Sequence, residues 1–129
     1  MVDITAPIPE GRQIIHRYGD GGFVINGAEY RSPILVCQTA THALPDMGLA
    51  DLLQERLSVI KEYVQSDEMV VVLLLGTGER MGPENRGCIK TLREAGLSVD
   101  PMDTGAACRT FNVLQAEDRA VSALLIPVP

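Results

Sequence analysis

The chain has 129 residues, 46% of them apolar and 22% charged, with 17 acidic against 11 basic side chains and a formal net charge of -6. A domain of that size buries very roughly two thirds of its unfolded surface, so it can fold without disulfides or metal. The acidic balance argues against non-specific attraction to nucleic acid or anionic lipid, both of which require clustered Lys and Arg.

Residues 1 to 12 hold two prolines and a glycine without periodicity, and are expected to form an extended arm on the surface. They lack the apolar run of a signal peptide and the Arg-rich amphipathic pattern of a transit peptide, so the protein is expected to stay in the cytoplasm. Residues 13 to 129 read as a single domain. "IIHRYGDGGFVINGAEYRSPILVCQ" contains three or four short β-rich runs, and Asn26-Gly27 between apolar flanks is a hairpin signal, because a type I′ turn needs positive φ at both central positions. "THALPDM" breaks the pattern. The spacing of Leu49, Leu52, Leu53, Leu57, Ile60 and Val64 then predicts a helix with one buried face.

A buried strand is predicted from Met69 to Leu75, since the run "MVVVLLLG" is far short of the ~20 residues that cross a bilayer. After a Gly-rich turn, "PENRGCIKTLREAG" reads as a helix with Pro83 in its first turn and Gly96 at its C-cap, its charged side chains forming a solvated face. "LSVDPM" is a short strand interrupted by Pro101, which is expected to lie at an edge or to end there. "MDTGAACRTFNVL" follows, and "RAVSALLIPV" is a last strand. A β meander followed by alternating helices and strands predicts an α/β domain with a partly parallel sheet.

The stretch "MDTGAACRTFNVL" has three chemical readings. Asp103-Thr104-Gly105 spells the tripeptide of an aspartic protease, but that chemistry needs paired carboxylates in an almost all-β fold, and this segment is flanked by helices. Cys108 beside Arg109 near a helix N-terminus has the setting of an activated thiol, yet no second Cys or His lies nearby in sequence to complete a pair. The third reading is favoured: Asp103 and Thr104 cap a helix and tie it to neighbouring loops, Cys108 packs inside, and Arg109 bridges to an acidic or backbone acceptor.

The turn "GTGERMG" raises a nucleotide reading, since a strand runs into Gly76, Gly78 and Gly82 ahead of a helix and Asp100 ends the next strand. The glycine spacing is one residue too long for a dinucleotide fingerprint, and Glu79 would face the phosphates, so a tight strand-to-helix turn is favoured. Cys37, Cys88 and Cys108 have no CxxC spacing, and His16 and His42 have no metal-ligand spacing. His16 is expected to be structural and His42 to lie in a surface loop. No catalytic residue, metal or cofactor is assigned.

Tyr18, Gly21-Gly22-Phe23, Ile25-Asn26-Gly27, Tyr30, "PILV" at 33 to 36, "LLLGTG" at 73 to 78, "MDTGAACRTFNVL" and "RAVSALLIP" together resemble the small-domain family that includes mitochondrial respiratory complex I assembly factor three and the adipogenesis-associated protein. The resemblance covers nearly all of the chain past Tyr18. It implies a three-layer β/β/α domain in which the "GTG" turn and the "DTGAACRTFN" helix start share one neighbourhood, with Gly76, Thr77, Gly78, Asp103, Thr104, Cys108, Arg109, Thr110 and Asn112 around a cleft. It also implies a non-enzymatic factor that binds protein partners during assembly of NADH dehydrogenase or other membrane complexes. The alternative is a small-molecule or anion-binding protein or enzyme using the cleft. Nucleic acid and direct membrane insertion are not expected, and a homo-oligomer is allowed. Two departures stand out: there is no Trp after the "PILV" strand, and Asp118 stands where a Gly commonly precedes the last strand.

Overall fold

The computed structural model describes residues 1–4, 9–65 and 72–129. Its first sheet is antiparallel, in the order β1 (Val2–Asp3), β2 (Ile15–Gly19), β3 (Gly22–Ile25) and β4 (Ala28–Tyr30). Turn chemistry sets this meander. Asp20-Gly21 joins β2 to β3 and Asn26-Gly27 joins β3 to β4, all four residues with positive φ (49°, 78°, 48° and 82°) as two-residue hairpins of this twist require. The Asn26 side chain also accepts from the Ile14 amide at 2.7 Å and donates to the Arg12 carbonyl at 3.1 Å, fixing the chain as it enters β2. Val2 and Asp3, at the start of the expected arm, lie exposed along β2.

The second sheet is mixed, in the order β6 (Thr41–Ala43), β5 (Ile34–Val36), β9 (Val121–Leu125), β7 (Val72–Gly76) and β8 (Ser98–Met102). β9 is parallel to β7 and antiparallel to β5, and β8 is parallel to β7. All five residues of β9 are buried, as in a strand covered on both faces, and Ser122 is the one polar side chain among them. Of the strand expected over 69–75, residues 69–71 lie outside the described residues, and the rest extends one residue further, to Gly76. Pro101 sits on the edge strand β8, where its missing N–H leaves no ladder position unfilled.

α1 (Leu49–Val64) and α2 (Arg86–Glu94) cover one face of this sheet, where Leu35, Leu73, Leu75, Val99 and Leu124 meet Leu52, Leu53, Ile60 and Leu92. α2 is entered through a 3₁₀ turn, Pro83–Asn85, rather than directly from the glycine turn. The other face carries Ile34, Val36, Leu74, Val121, Ala123 and Leu125, which share one core with Ile15, Phe23 and Ile25 of the first sheet and Ala107, Cys108 and Phe111 of α3 (Thr104–Ala116). α3 therefore packs against both sheets. Each fully buried Leu, Ile or Phe in these cores contributes on the order of 1.5–3 kcal/mol.

Two expectations are corrected. "THALPDM" begins with a strand: Thr41–Ala43 pairs antiparallel with β5 after a short turn closed by the Cys37 amide on the Ala40 carbonyl. Three residues without an alternating apolar pattern give no periodic signal, and only the partner strand makes them β. His42 accordingly lies on β6 rather than in a loop, its ring stacked on Tyr63 of α1 at 3.6 Å and 13°, and burial lowers its pKa from the ordinary value.

Both α2 and α3 end in a Schellman motif. After α2 the amide of Gly96 (φ 89°) donates to the Arg93 carbonyl and Leu97 to Leu92; after α3 Asp118 (φ 55°) donates to Gln115 and Arg119 to Leu114. Asp118 thus fills a left-handed position that favours glycine, and its carboxylate pairs with Arg12. Asp118→Gly and Asp118→Ala both lose that ion pair, so their difference isolates the backbone. The glycine variant should be the more stable by about 1 kcal/mol in urea unfolding; equal midpoints would show that the left-handed cap carries no strain.

Candidate functional site

The carboxyl ends of the parallel strands β7, β8 and β9 meet where the helices following β7 and β8 leave on opposite faces of the sheet, the place at which open α/β sheets form crevices. Gly76 ends β7 because nothing larger fits: a Cβ there would lie 2.8 Å from a Leu125 methyl and 3.1 Å from the Thr104 Cα. That contact lets the first turn of α3 rest directly on the strand end. The Thr104 side chain, fully buried, then accepts from the Gly78 amide at 2.9 Å and donates to the Ile126 carbonyl at 2.7 Å. The Thr104 amide donates back to the Gly78 carbonyl at 2.8 Å, and the Thr77 amide to the Met102 carbonyl at 3.0 Å. One hydroxyl thereby joins the ends of β7 and β9 to α3.

Asp103 is the N-cap, its carboxylate accepting from the Ala106 amide at 2.9 Å. The protease-like tripeptide is thus a cap and a first helical turn. The glycines of the "GTG" turn are likewise structural, because the Thr77 and Gly78 amides that a phosphate would need are already bonded. The Glu84 carboxylate also occupies the space beside Gly82.

Further along α3 the expected residues separate. Cys108 is fully buried, and its thiol pKa is pushed from the ordinary 9.0 up to about 12, by burial first, with Arg109 opposing and Asp103 adding to the rise. It is a packing residue. Asn112 is buried and holds β2, accepting from the Ile15 amide at 3.0 Å and donating to the Ile15 carbonyl at 2.8 Å. Thr110 is half-buried and does not line the cleft. Arg109 is exposed and, in place of the acidic or backbone acceptor expected, donates through Nη1 to the Tyr18 hydroxyl at 2.9 Å.

A cleft of about 380 Å³ opens beside this junction, and Gly78, Asp103 and Arg109 line it together with Tyr18, Glu79, Arg80, Gly105, Val128 and Pro129. Gly76, Thr77, Thr104, Cys108, Thr110 and Asn112 do not. Tyr18 and Arg80 were missed as cleft residues; Tyr18 could have been suspected from its place among the motif residues, and Arg80 from its position two residues past Gly78. Gly105 carries a specific constraint, since a Cβ there would fall 2.8 Å from the Tyr18 hydroxyl oxygen. Gln115, also missed, is fully buried and donates to the Gln13 and Gln38 carbonyls at 3.0 and 2.9 Å.

Two outcomes follow. Thr104→Val keeps the shape but strands the Gly78 amide and the Ile126 carbonyl, and should cost on the order of 2–3 kcal/mol in chemical denaturation, whereas Thr104→Ser should recover most of that loss. For Cys108 the folded pKa lies above the unfolded one, so its contribution is fully present below pH 9.0 and is lost as pH rises toward 12. Wild type should therefore lose stability above pH 9.0 faster than Cys108→Ala, by up to about 1.4 kcal/mol per pH unit. Parallel alkaline curves would contradict the buried thiol.

Against known proteins, the family described as "Protein of unknown function (DUF498/DUF598)" matches residues 15–126. The chain is 34% identical to the NADH dehydrogenase [ubiquinone] 1 alpha subcomplex assembly factor 3 of Danio rerio over 116 residues, 90% of this chain but 65% of that protein, so it spans less than two thirds of that relative's length. It is 32% identical to the 13 kDa major membrane protein of Francisella tularensis over 128 residues, 95% of this chain and 94% of that protein. The crystal structure of an outer membrane protein from Bartonella henselae superimposes with a TM-score of 0.74 at 39% identity, covering 95% of this chain and 100% of that one. From the match over residues 15–126, the paired turn and helix start included, the chain belongs to the DUF498/DUF598 family.

Proposed function

We propose that the protein is a non-enzymatic protein-binding factor that assists assembly of respiratory NADH dehydrogenase or another membrane complex. The observation that carries this reading is the similarity to assembly factor 3 over 88–90% of this chain in two vertebrate species, so that what is shared with those factors is this folded domain. The partners are proteins, of a cytoplasmic factor that meets membrane subunits at the surface. None of the described helices is long and apolar enough to cross a membrane. The exposed Met81 at the cleft's glycine turn and the exposed Val113 on α3 are apolar contact points of the kind a partner would cover.

The cleft supports a second reading, a small-molecule or anion-binding protein, because crevices at the carboxyl ends of parallel strands are where α/β domains hold ligands.

Deleting the gene in its own host and resolving membrane complexes on native gels tests the assembly reading. Mature NADH dehydrogenase should fall severalfold and partial complexes accumulate, with recovery on re-expression. A photo-crosslinking residue at position 81 should capture a subunit of that enzyme. Normal assembly in the deletion strain would overturn the proposal.

A further inference from the structure

The cleft contains a guanidinium that is fixed in place without being neutralised. Four of the eight other arginines, Arg12, Arg17, Arg31 and Arg119, meet carboxylates: Asp118, Asp3, Glu29 and Glu117. Arg109 instead donates through Nη1 to the phenol of Tyr18, a neutral acceptor at 2.9 Å. The missing side chain of Gly105 provides the room, as a Cβ there would lie 3.3 Å from that same Nη1 and closer still to the phenol. Asp103, the acid on the same helix start, directs its carboxylate to the Ala106 amide. Among the described residues Arg109 has no ion pair, and neither has Arg80, which lines the same cleft from the turn after β7.

A guanidinium has five donors in a rigid plane, and holding one of them orients the others. With Nη1 bound to Tyr18, the remaining donors match the two oxygens of a carboxylate or phosphate, the geometry in which arginine binds most strongly. We propose that the cleft binds one oxyanionic group, a carboxylate or phosphate of a small molecule, through Arg109 with Arg80 as the second cation, and that Tyr18 is a positioning residue. The volume of about 380 Å³ suits a ligand of metabolite size. Glu79 and Asp103 line the cleft as well, so a polyanion such as nucleic acid would meet repulsion that a single oxyanion between the two arginines avoids. The inference rests on the second, ligand-binding reading of the cleft and is independent of the assembly reading, since it concerns a ligand of the purified domain.

The test is a ¹⁵N NMR titration with inorganic phosphate in one arm and acetate in the other, at constant ionic strength set by chloride. Saturable shifts should concentrate on the Gly78, Gly105 and Arg109 amides and the Arg109 Nε–H. The arm that saturates at lower concentration identifies the group as phosphate or carboxylate. Arg109→Gln should weaken binding at least about tenfold and Arg80→Gln severalfold, while Tyr18→Phe, which keeps the charge but frees the guanidinium, should weaken it by an intermediate factor. Arg86→Gln, on α2 outside the cleft, should leave affinity unchanged. Arg109 and Arg80 are exposed, so both variants should fold, and wild-type melting temperatures would verify it. Shifts that do not saturate in either arm, that spread equally over all surface arginines, or that persist in Arg109→Gln would overturn the site. Wild-type affinity in Tyr18→Phe would overturn the positioning role.

Discussion

The fold depends on the contact between the end of β7 and the start of α3. Gly76 lets the helix approach the strand within a distance no side chain would permit, and the Thr104 hydroxyl converts that approach into hydrogen bonds to Gly78 and Ile126. A buried hydroxyl with both partners in place adds a modest stabilisation, whereas either partner left alone costs much more. This asymmetry makes the junction a specification of geometry: α3 can start in one place, at one height above the sheet.

From that start α3 packs against both sheets and must satisfy both. Its apolar side, Ala107, Cys108 and Phe111, fills the shared core. Its buried amides then act as substitutes for backbone. Asn112 bonds both the amide and the carbonyl of Ile15, as a neighbouring strand would, and Gln115 gathers the carbonyls of Gln13 and Gln38. These polar ties set the register of β2 and its approach against the helix, because a shift of one residue would break all four hydrogen bonds. The burial that raises the pKa of Cys108 is the same burial that packs the helix.

The motifs that look most chemical are therefore used in construction, and the groups available to a ligand or partner stand around them. Tyr18, Arg80 and Arg109 come from a strand, a turn and a helix, and they face one cleft because Thr104 ties the turn to α3 while Asn112 ties β2 to the same helix. A site on such a frame is preorganised, so few of its side chains need ordering when something binds. The same frame leaves Met81 exposed at its rim, an apolar point beside a charged cleft, which joins the protein-binding and oxyanion readings to one region of the surface.

Much was legible in the sequence because it is governed by rules acting over a few residues. Asn26-Gly27 announced its hairpin through the φ values its turn needs, the α1 leucines repeated with the helical period, Gly96 marked a C-cap, and Pro101 allowed β8 only an edge place or an early end, of which the edge is observed. The Asp103 cap and the inward packing of Cys108 were readable for the same reason, whereas the adjacency of the "GTG" and "DTG" segments came only through family resemblance. What the tertiary structure decided is what depends on distant partners: that Thr41–Ala43 is a strand, that Asn112 belongs to the core and not the cleft, and that Arg109 meets a phenol. Asn112 and its partner Ile15 are 97 residues apart and Arg109 and Tyr18 are 91 apart. A polar side chain carries no local mark of which acceptor it will meet. Local propensity and periodicity set the elements, whereas the pairing of side chains across them follows only once the sheets and α3 are packed.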